Sequence, residues 1–324
     1  MKRVKRIFAS LLALTMMFGL SATAFAAENG TTPTDQEAVT IKKKYKLANE
    51  GTTSPEEIFT LQQVGNGEVT DGEATSAPAL VAITGAQFTE GAATGDGAIG
   101  NITVTLPKYD SVGVYEYTLK EVAGTTAGVT YYGASIKLVV TVIQGANGKL
   151  RIAAVHTESE GDKKDTFENT YSAGTLEISK TVTGNLGDQS KYFEFKVTLN
   201  AETGKTYAAS YAVSGGSNSS NPSSIEIGKE TTFLLKHGET ISIANLPYGV
   251  TYTVTETEAK GYTTTSTGAS GSINAAEQTA AFTNSKTGKV DTGVYLDNLP
   301  YILVFAGVLA IAAVFVVRRR RFED

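Results

Sequence analysis

Val39-Thr-Ile41-Lys-Lys43 and Leu176-Glu-Ile178-Ser-Lys180 are two versions of one strand, and each puts a lysine where a core residue belongs. Successive side chains of a strand point to opposite faces. Lys43 therefore shares a face with Val39 and Ile41, and Lys180 with Leu176 and Ile178. The conflict recurs twice more in each version. Glu121 continues the face of Tyr117 and Leu119, and Glu256 that of Tyr252 and Val254. Asn169 continues the face of Phe167, and Asn284 that of Phe282. A buried Lys or Glu is costly unless paired. Any fold for this chain must bring Lys, Glu and Asn together twice, or let these side chains snorkel to water from strand ends. A single instance would favour snorkelling. The same three residue types on the same strand contexts, twice over, favour chemistry.

The order of the motifs is duplicated too. Each lysine strand is followed by an aromatic strand, Phe59-Thr-Leu61 and Phe193-Glu-Phe195-Lys-Val197. A Tyr-x-apolar-x-Glu strand comes next, Tyr117-Thr-Leu119-Lys-Glu121 and Tyr252-Thr-Val254-Thr-Glu256. A Phe-x-Asn strand closes each unit. The units span 37–171 and 174–285. Alternation of period two recurs elsewhere, as in Ile136-Lys-Leu138-Val-Val140-Thr-Val142. Asn147-Gly148 and Pro247-Tyr248-Gly249 are turn signals, and no long segment has helical periodicity. The expectation is an all-β chain of two tandem sandwiches, each made of two antiparallel sheets packed face to face. Gly65 to Gly100 and Gly215 to Ser224 read as surface loops. Residues 172–175 are too few for free tumbling, so the pair should form a semi-rigid rod.

Composition removes several functions. The chain lacks cysteine and has two histidines, His156 and His237. A disulfide scaffold, a thiolate zinc site and a cysteine nucleophile are excluded, and little remains for a histidine metal cluster or a Ser-His-Asp triad. Setting aside the four basic residues of 1–26, and the four arginines and three acids of 293–324, leaves 20 basic and 30 acidic residues, a net charge of −10. An acidic body argues against nucleic acid as a partner. Glu121 and Glu256 belong to different units, so they make a poor carboxylate pair for one substrate. No glycine-rich phosphate loop follows a strand and opens a helix. The chain is not expected to be an enzyme, and no cofactor or metal is expected.

The two ends read as addresses. A basic start, an apolar run from Ile7 to Leu20 and Ala24-Phe25-Ala26 form a signal peptide over 1–26, in preference to a retained anchor. Residues 299–317 are mostly apolar and reach roughly 28 Å as a helix, enough for one bilayer core. Arg318 to Arg321 open the tail 318–324 and hold it on the cytoplasmic side. The linker 286–298 carries Val290-Asp291-Thr292-Gly293. Thr-Gly, apolar span and arginines, in that order, resemble the sorting signal cut by sortases of Gram-positive bacteria. Lys289-Val290 stand where the common form has Leu-Pro, as in relaxed Val-x-Thr-Gly variants. The competing reading is a plain single-pass anchor.

The Lys, Glu and Asn pattern resembles the isopeptide-forming, CnaB-like domains of Gram-positive pilins. The whole plan resembles a two-domain backbone pilin of the streptococcal T-antigen type, and Leu246-Pro-Tyr-Gly-Val-Thr-Tyr-Thr-Val-Thr-Glu256 is its most specific segment. The resemblance implies tandem Ig-like sandwiches and an amide from Lys43 to Asn169 assisted by Glu121. A second amide would join Lys180 to Asn284, assisted by Glu256. Lys42 and Lys44 flank Lys43, which is chosen by alternation alone. Physical chemistry allows the reaction. Burial disfavours the charged forms of both lysine and glutamate, so an isolated pair can exist as amine and carboxylic acid. Close packing then supplies proximity.

The implied function is a shaft pilin of a covalent pilus on the Gram-positive cell wall. The alternative is a monomeric wall-anchored adhesin or minor pilin. The implied partners are other pilin subunits, a class C-like and a housekeeping sortase, peptidoglycan and host surface ligands. Sortase would cleave between Thr292 and Gly293 and pass the Thr292 acyl group to a lysine of the next subunit. In T-antigen-like pilins that lysine lies a few residues before the closing strand, where Lys163 and Lys164 stand here. Gly161, Asp162 and Asp165 suggest an exposed loop around them. Leu106-Pro107-Lys108 is the nearest match to the common Tyr-Pro-Lys motif, and it reads as a turn.

Overall fold

The computed structural model describes residues 37–145, 148–289, 301, 303–305 and 307–309. The signal peptide 1–26, Thr292, Gly293, most of the span 299–317 and the tail 318–324 lie outside the described residues. Among the described residues no helix is long and apolar enough to cross a membrane.

The described residues from Ala38 to Ser285 form strands joined by turns and loops. The first unit opens with Ala38–Leu47, which lies at the centre of a five-stranded sheet in the order Ala82–Thr84, Ala98–Thr105, Ala38–Leu47, Thr166–Tyr171, Val129–Thr130. The facing sheet runs Asp162–Lys163, Leu150–Ser159, Ile136–Gln144, Gly113–Glu121, Leu61–Gln63, with Glu68–Gly72 also on Gly113–Glu121. Between them Ile41, Tyr45, Tyr115, Tyr117, Leu119, Ile136, Leu138 and Phe167 form the core. The second unit repeats the plan. Ala173–Thr183 lies between Thr240–Pro247 and Glu277–Ser285 in one sheet, and Phe193–Asn200 lies between Thr231–Leu235 and Thr251–Glu256 in the other. Leu176, Ile178, Phe195, Val197, Val254 and Phe282 close its core. Alternation holds in the opening strands, where Ile41 and Lys43, and Leu176, Ile178 and Lys180, are buried between more exposed neighbours, whereas Ile136–Gln144 is buried on both faces from Leu138 to Val142.

Three expectations need correction. The sheets are not purely antiparallel, because in each unit the first strand pairs in parallel with the last. Parallel neighbours need a long crossover, and here the rest of the unit is that crossover. Phe59-Thr-Leu61 is not one strand. The chain changes sheets at Thr60: Glu57–Phe59 pairs with Ala86–Phe88 in a separate two-stranded sheet, while Leu61–Gln63 joins Gly113–Glu121. Gly65 to Gly100 is not a plain loop, since it contains Glu68–Gly72, Ala82–Thr84, Ala86–Phe88 and the start of Ala98–Thr105.

Only Ser172 separates the closing strand of the first unit from the opening strand of the second. Hydrogen bonds seal this junction. Asn49 Nδ2 donates to Tyr248 Oη and to the Ala173 carbonyl, each at 2.7 Å. Thr53 N–H donates to Asn245 Oδ1, and Asn245 Nδ2 returns a bond to the Thr53 carbonyl, each at 2.9 Å. Asn245 adopts φ +59° to do so, a left-handed conformation that asparagine tolerates better than most residues. Thr206 adds backbone bonds with Thr125 and Ala127. These bonds tie the two units together beside the single-residue linker.

Candidate functional site

The parallel register sets the geometry of each centre. Lys43 lies opposite Phe167, so Asn169 stands two residues further along the neighbouring strand. Lys180 lies opposite Phe282, with Asn284 two residues further. Lysine and asparagine thus point into the same stretch of core from adjacent strands. The glutamate comes from the facing sheet, at the end of Gly113–Glu121 or of Thr251–Glu256.

In the first unit the three side chains close a triangle. Lys43 Nζ donates to Glu121 Oε2 at 2.5 Å and to Asn169 Oδ1 at 2.6 Å. Asn169 Nδ2 donates to Glu121 Oε1. The side chains of Lys43 and Glu121 have no exposed surface. In the second unit Lys180 Nζ donates to Glu256 Oε2 at 2.7 Å, and Asn284 Nδ2 donates to Glu256 Oε1. Lys180 and Asn284 are buried there. The six residues picked out by alternation form two centres of three, and Lys42 and Lys44 point outward to Asp165 and Glu168.

Aromatic rings wall off both amines. Lys43 Nζ lies 5.4 Å from the Phe59 ring centroid and 5.7 Å from that of Tyr132. Lys180 Nζ lies 4.1 Å from the Phe193 ring and 5.6 Å from that of Phe195. Loss of hydration pushes the Lys43 amine below the ordinary lysine range; the Glu121 carboxylate opposes the shift and the Lys164 charge adds to it. Burial likewise pushes Lys180 down, against the pull of Glu256. A lowered lysine holds its proton weakly, and the neutral amine is the nucleophile. The glutamate bridges amine and amide, so it can take the proton from one nitrogen and deliver it to the other. Each centre therefore carries the groups for one reaction: amine plus carboxamide to secondary amide plus ammonia.

The lysine pair before the closing strand is split. Lys163 is exposed on the two-residue edge strand Asp162–Lys163, opposite Glu158, and this segment is a hairpin edge rather than the open loop expected. Lys164 is half-buried, with its amine 5.0 Å from the Tyr132 ring centroid and 5.6 Å from that of Phe167. Sequence reading did not single out Tyr132, whose backbone N–H donates to Asn169 Oδ1 at 2.9 Å. A backbone donor carries no side-chain signature, so the sequence offered no signal for it. The ring of Phe193 over Lys180 was legible as part of the aromatic strand, though not as a wall of the site.

Residues 39–172 match the family described as the Spy0128-like isopeptide containing domain, and residues 174–286 match a domain of unknown function. A pilin of Streptococcus pyogenes serotype M1 is 30% identical over 94% of this chain and 98% of its own length. The crystal structure of the major pilin from Streptococcus pyogenes is similar with a TM-score of 0.54 and 25% identity, covering 79% of this chain and 100% of that one. The pilus tip adhesin Cpa of Streptococcus pyogenes is 33% identical over 129 residues, which is 38% of this chain and 18% of that protein.

Proposed function

The chain belongs to the pilin family, and from that premise we propose that its two Lys–Glu–Asn centres close as intramolecular amides and that sortases link subunits through Thr292. The protein is a structural subunit of the pilus shaft, and it associates with other pilin subunits. The observation that carries the amide reading is the repeated register: in both units lysine and asparagine are held two residues apart across a parallel pair, with a glutamate bonded to both. Buried ion pairs are weak sources of stability because desolvation opposes them. A neutral amide removes that cost and leaves a covalent tie between first and last strands. The only catalysis in this reading is a single turnover of each unit on itself.

The chemistry is read by mass. The full chain expressed and secreted in a Gram-positive host should weigh less than its mature sequence by one ammonia per unit. Glu121→Ala should restore one ammonia and Glu256→Ala the other, with peptide mapping assigning each. A wild-type protein at full sequence mass would refute the amide reading while leaving the pilin assignment intact.

For assembly, Thr292 is the acyl donor and Gly293 begins the leaving segment. The housekeeping sortase then transfers the finished polymer to peptidoglycan, which places the subunit on the cell wall. Lys163 is the better acceptor of the lysine pair, because an exposed amine can enter a sortase cleft and an amine packed on two rings cannot do so without first leaving them. Lys163 precedes Thr166–Tyr171, which leads into the second unit at its other end. The acceptor therefore lies at the end of the first unit remote from the junction, as head-to-tail linkage requires.

A further inference from the structure

The two centres differ at the carbonyl that is attacked. Asn169 Oδ1 accepts two hydrogen bonds, from Lys43 Nζ at 2.6 Å and from the Tyr132 N–H at 2.9 Å. Asn284 Oδ1 is buried with no hydrogen-bond partner among the described residues. We propose that the Tyr132 backbone N–H is an oxyanion donor for amide formation in the first unit, and that the second unit lacks one and closes more slowly. This rests on the reading that both centres form amides.

The neutral Lys43 amine attacks Asn169 Cγ, a C–N bond forms, and the carbonyl electron pair moves onto Oδ1. Lys43 then has its nitrogen bonded to Cγ, so its hydrogen bond to Oδ1 is spent. The Tyr132 N–H remains, and its partner has changed from a carbonyl oxygen to an oxyanion. Glu121 carries the amine proton to Nδ2, the Cγ–Nδ2 bond breaks, the carbonyl reforms and ammonia leaves. A donor that gains strength as charge develops lowers the barrier rather than merely binding the ground state. Its 2.9 Å distance lies within the range useful for oxyanion stabilisation.

The donor is held in place beforehand. Residues 131–135 connect Val129–Thr130 to Ile136–Gln144. The Tyr132 ring stands edge-on to Phe167 at 5.1 Å. Its hydroxyl is within 2.7 Å of Ser159 Oγ, which itself donates to the Ser135 carbonyl at 2.8 Å. Both ends of the segment are thus pinned to the strand Leu150–Ser159. In the second unit the orphaned Asn284 oxygen bears a desolvation cost with no compensating bond, and charge building on it meets no aligned donor.

The test synthesises the full chain in a cell-free system and quenches it at intervals. Digestion then quantifies two branched peptides, Lys43–Asn169 and Lys180–Asn284, so each molecule carries its own control. In the wild type the first should accumulate at least about tenfold faster than the second. The α-hydroxy analogue of tyrosine at position 132 turns the Tyr131–Tyr132 peptide bond into an ester, removing the N–H and keeping the side chain. This should slow the first peptide by about 100-fold, the usual loss for one oxyanion donor, and leave the second unchanged. Ser159→Ala, which loosens the segment and keeps the N–H, should give a smaller slowing that Ser159→Thr reverses. Equal rates for the two units, or an ester without effect on the first, would overturn the proposal. Absence of both peptides from the wild type would instead overturn the amide reading beneath it.

Discussion

Pulled from its two ends, the protein with both amides closed should not lengthen by unfolding, whereas Asn169→Ala should release roughly 400 Å in one step. The figure follows from the 126-residue separation of Lys43 and Asn169 at about 3.4 Å per extended residue. The physical reason is the parallel pairing of first and last strands. Force enters the opening strand at Ala38 and leaves the closing strand at Tyr171, so it shears the ladder between them. An amide joining those strands carries the tension from Lys43 directly to Asn169, and residues 44–168 stay outside the load path. Asn284→Ala should release a somewhat shorter length from the second unit by the same argument. On the cross-link entropy model each bond also stabilises its unit by roughly 4–5 kcal/mol, because each closes a loop of over 100 residues. Single-molecule extension measures the first effect and denaturant midpoints the second. A wild type that shows the same unfolding steps as Asn169→Ala would refute the covalent tie.

Lys163→Arg should abolish the high-mass ladder in cell-wall extracts and leave a folded, anchored monomer. Arginine keeps the charge but presents no amine that can attack the acyl-enzyme. Lys164→Arg should retain the ladder, because Lys164 is half-buried with its amine over the Tyr132 and Phe167 rings, whereas Lys163 is exposed. The double variant should behave as Lys163→Arg alone. Thr292→Ala should give the same loss of polymer by removing the acyl donor, with the protein held in the membrane. An undiminished ladder from Lys163→Arg would move the acceptor elsewhere, with Lys108 the next to test. A ladder lost only when Lys164 is replaced would reverse the choice within the pair.

The residues of both centres were legible in the chain alone because a strand has a period of two. That rule places Lys43 beside Ile41 and Glu121 beside Leu119 on core-facing sides without any tertiary information, and duplication made the pattern too consistent to be accidental. Local chemistry also separated the units, since turn residues and strand alternation are read over a few positions. Strand direction was not legible. Whether Ala38–Leu47 pairs parallel or antiparallel with Thr166–Tyr171 depends on how the intervening chain crosses, and no local signal records it. The change of sheet at Thr60 is of the same kind, decided by which neighbouring strand offers free backbone partners. The difference between Lys163 and Lys164 was likewise invisible, because adjacent lysines read alike until the Tyr132 and Phe167 rings are brought beside one of them. The donor to Asn169 is the clearest case. Every residue but proline has a backbone N–H, and only the packing of Tyr132 against Phe167 and Ser159 aims this one at the Asn169 side-chain oxygen. Sequence determined which groups would be buried together, through periodicity. Tertiary structure decided how they are oriented, through contacts between residues far apart in the chain.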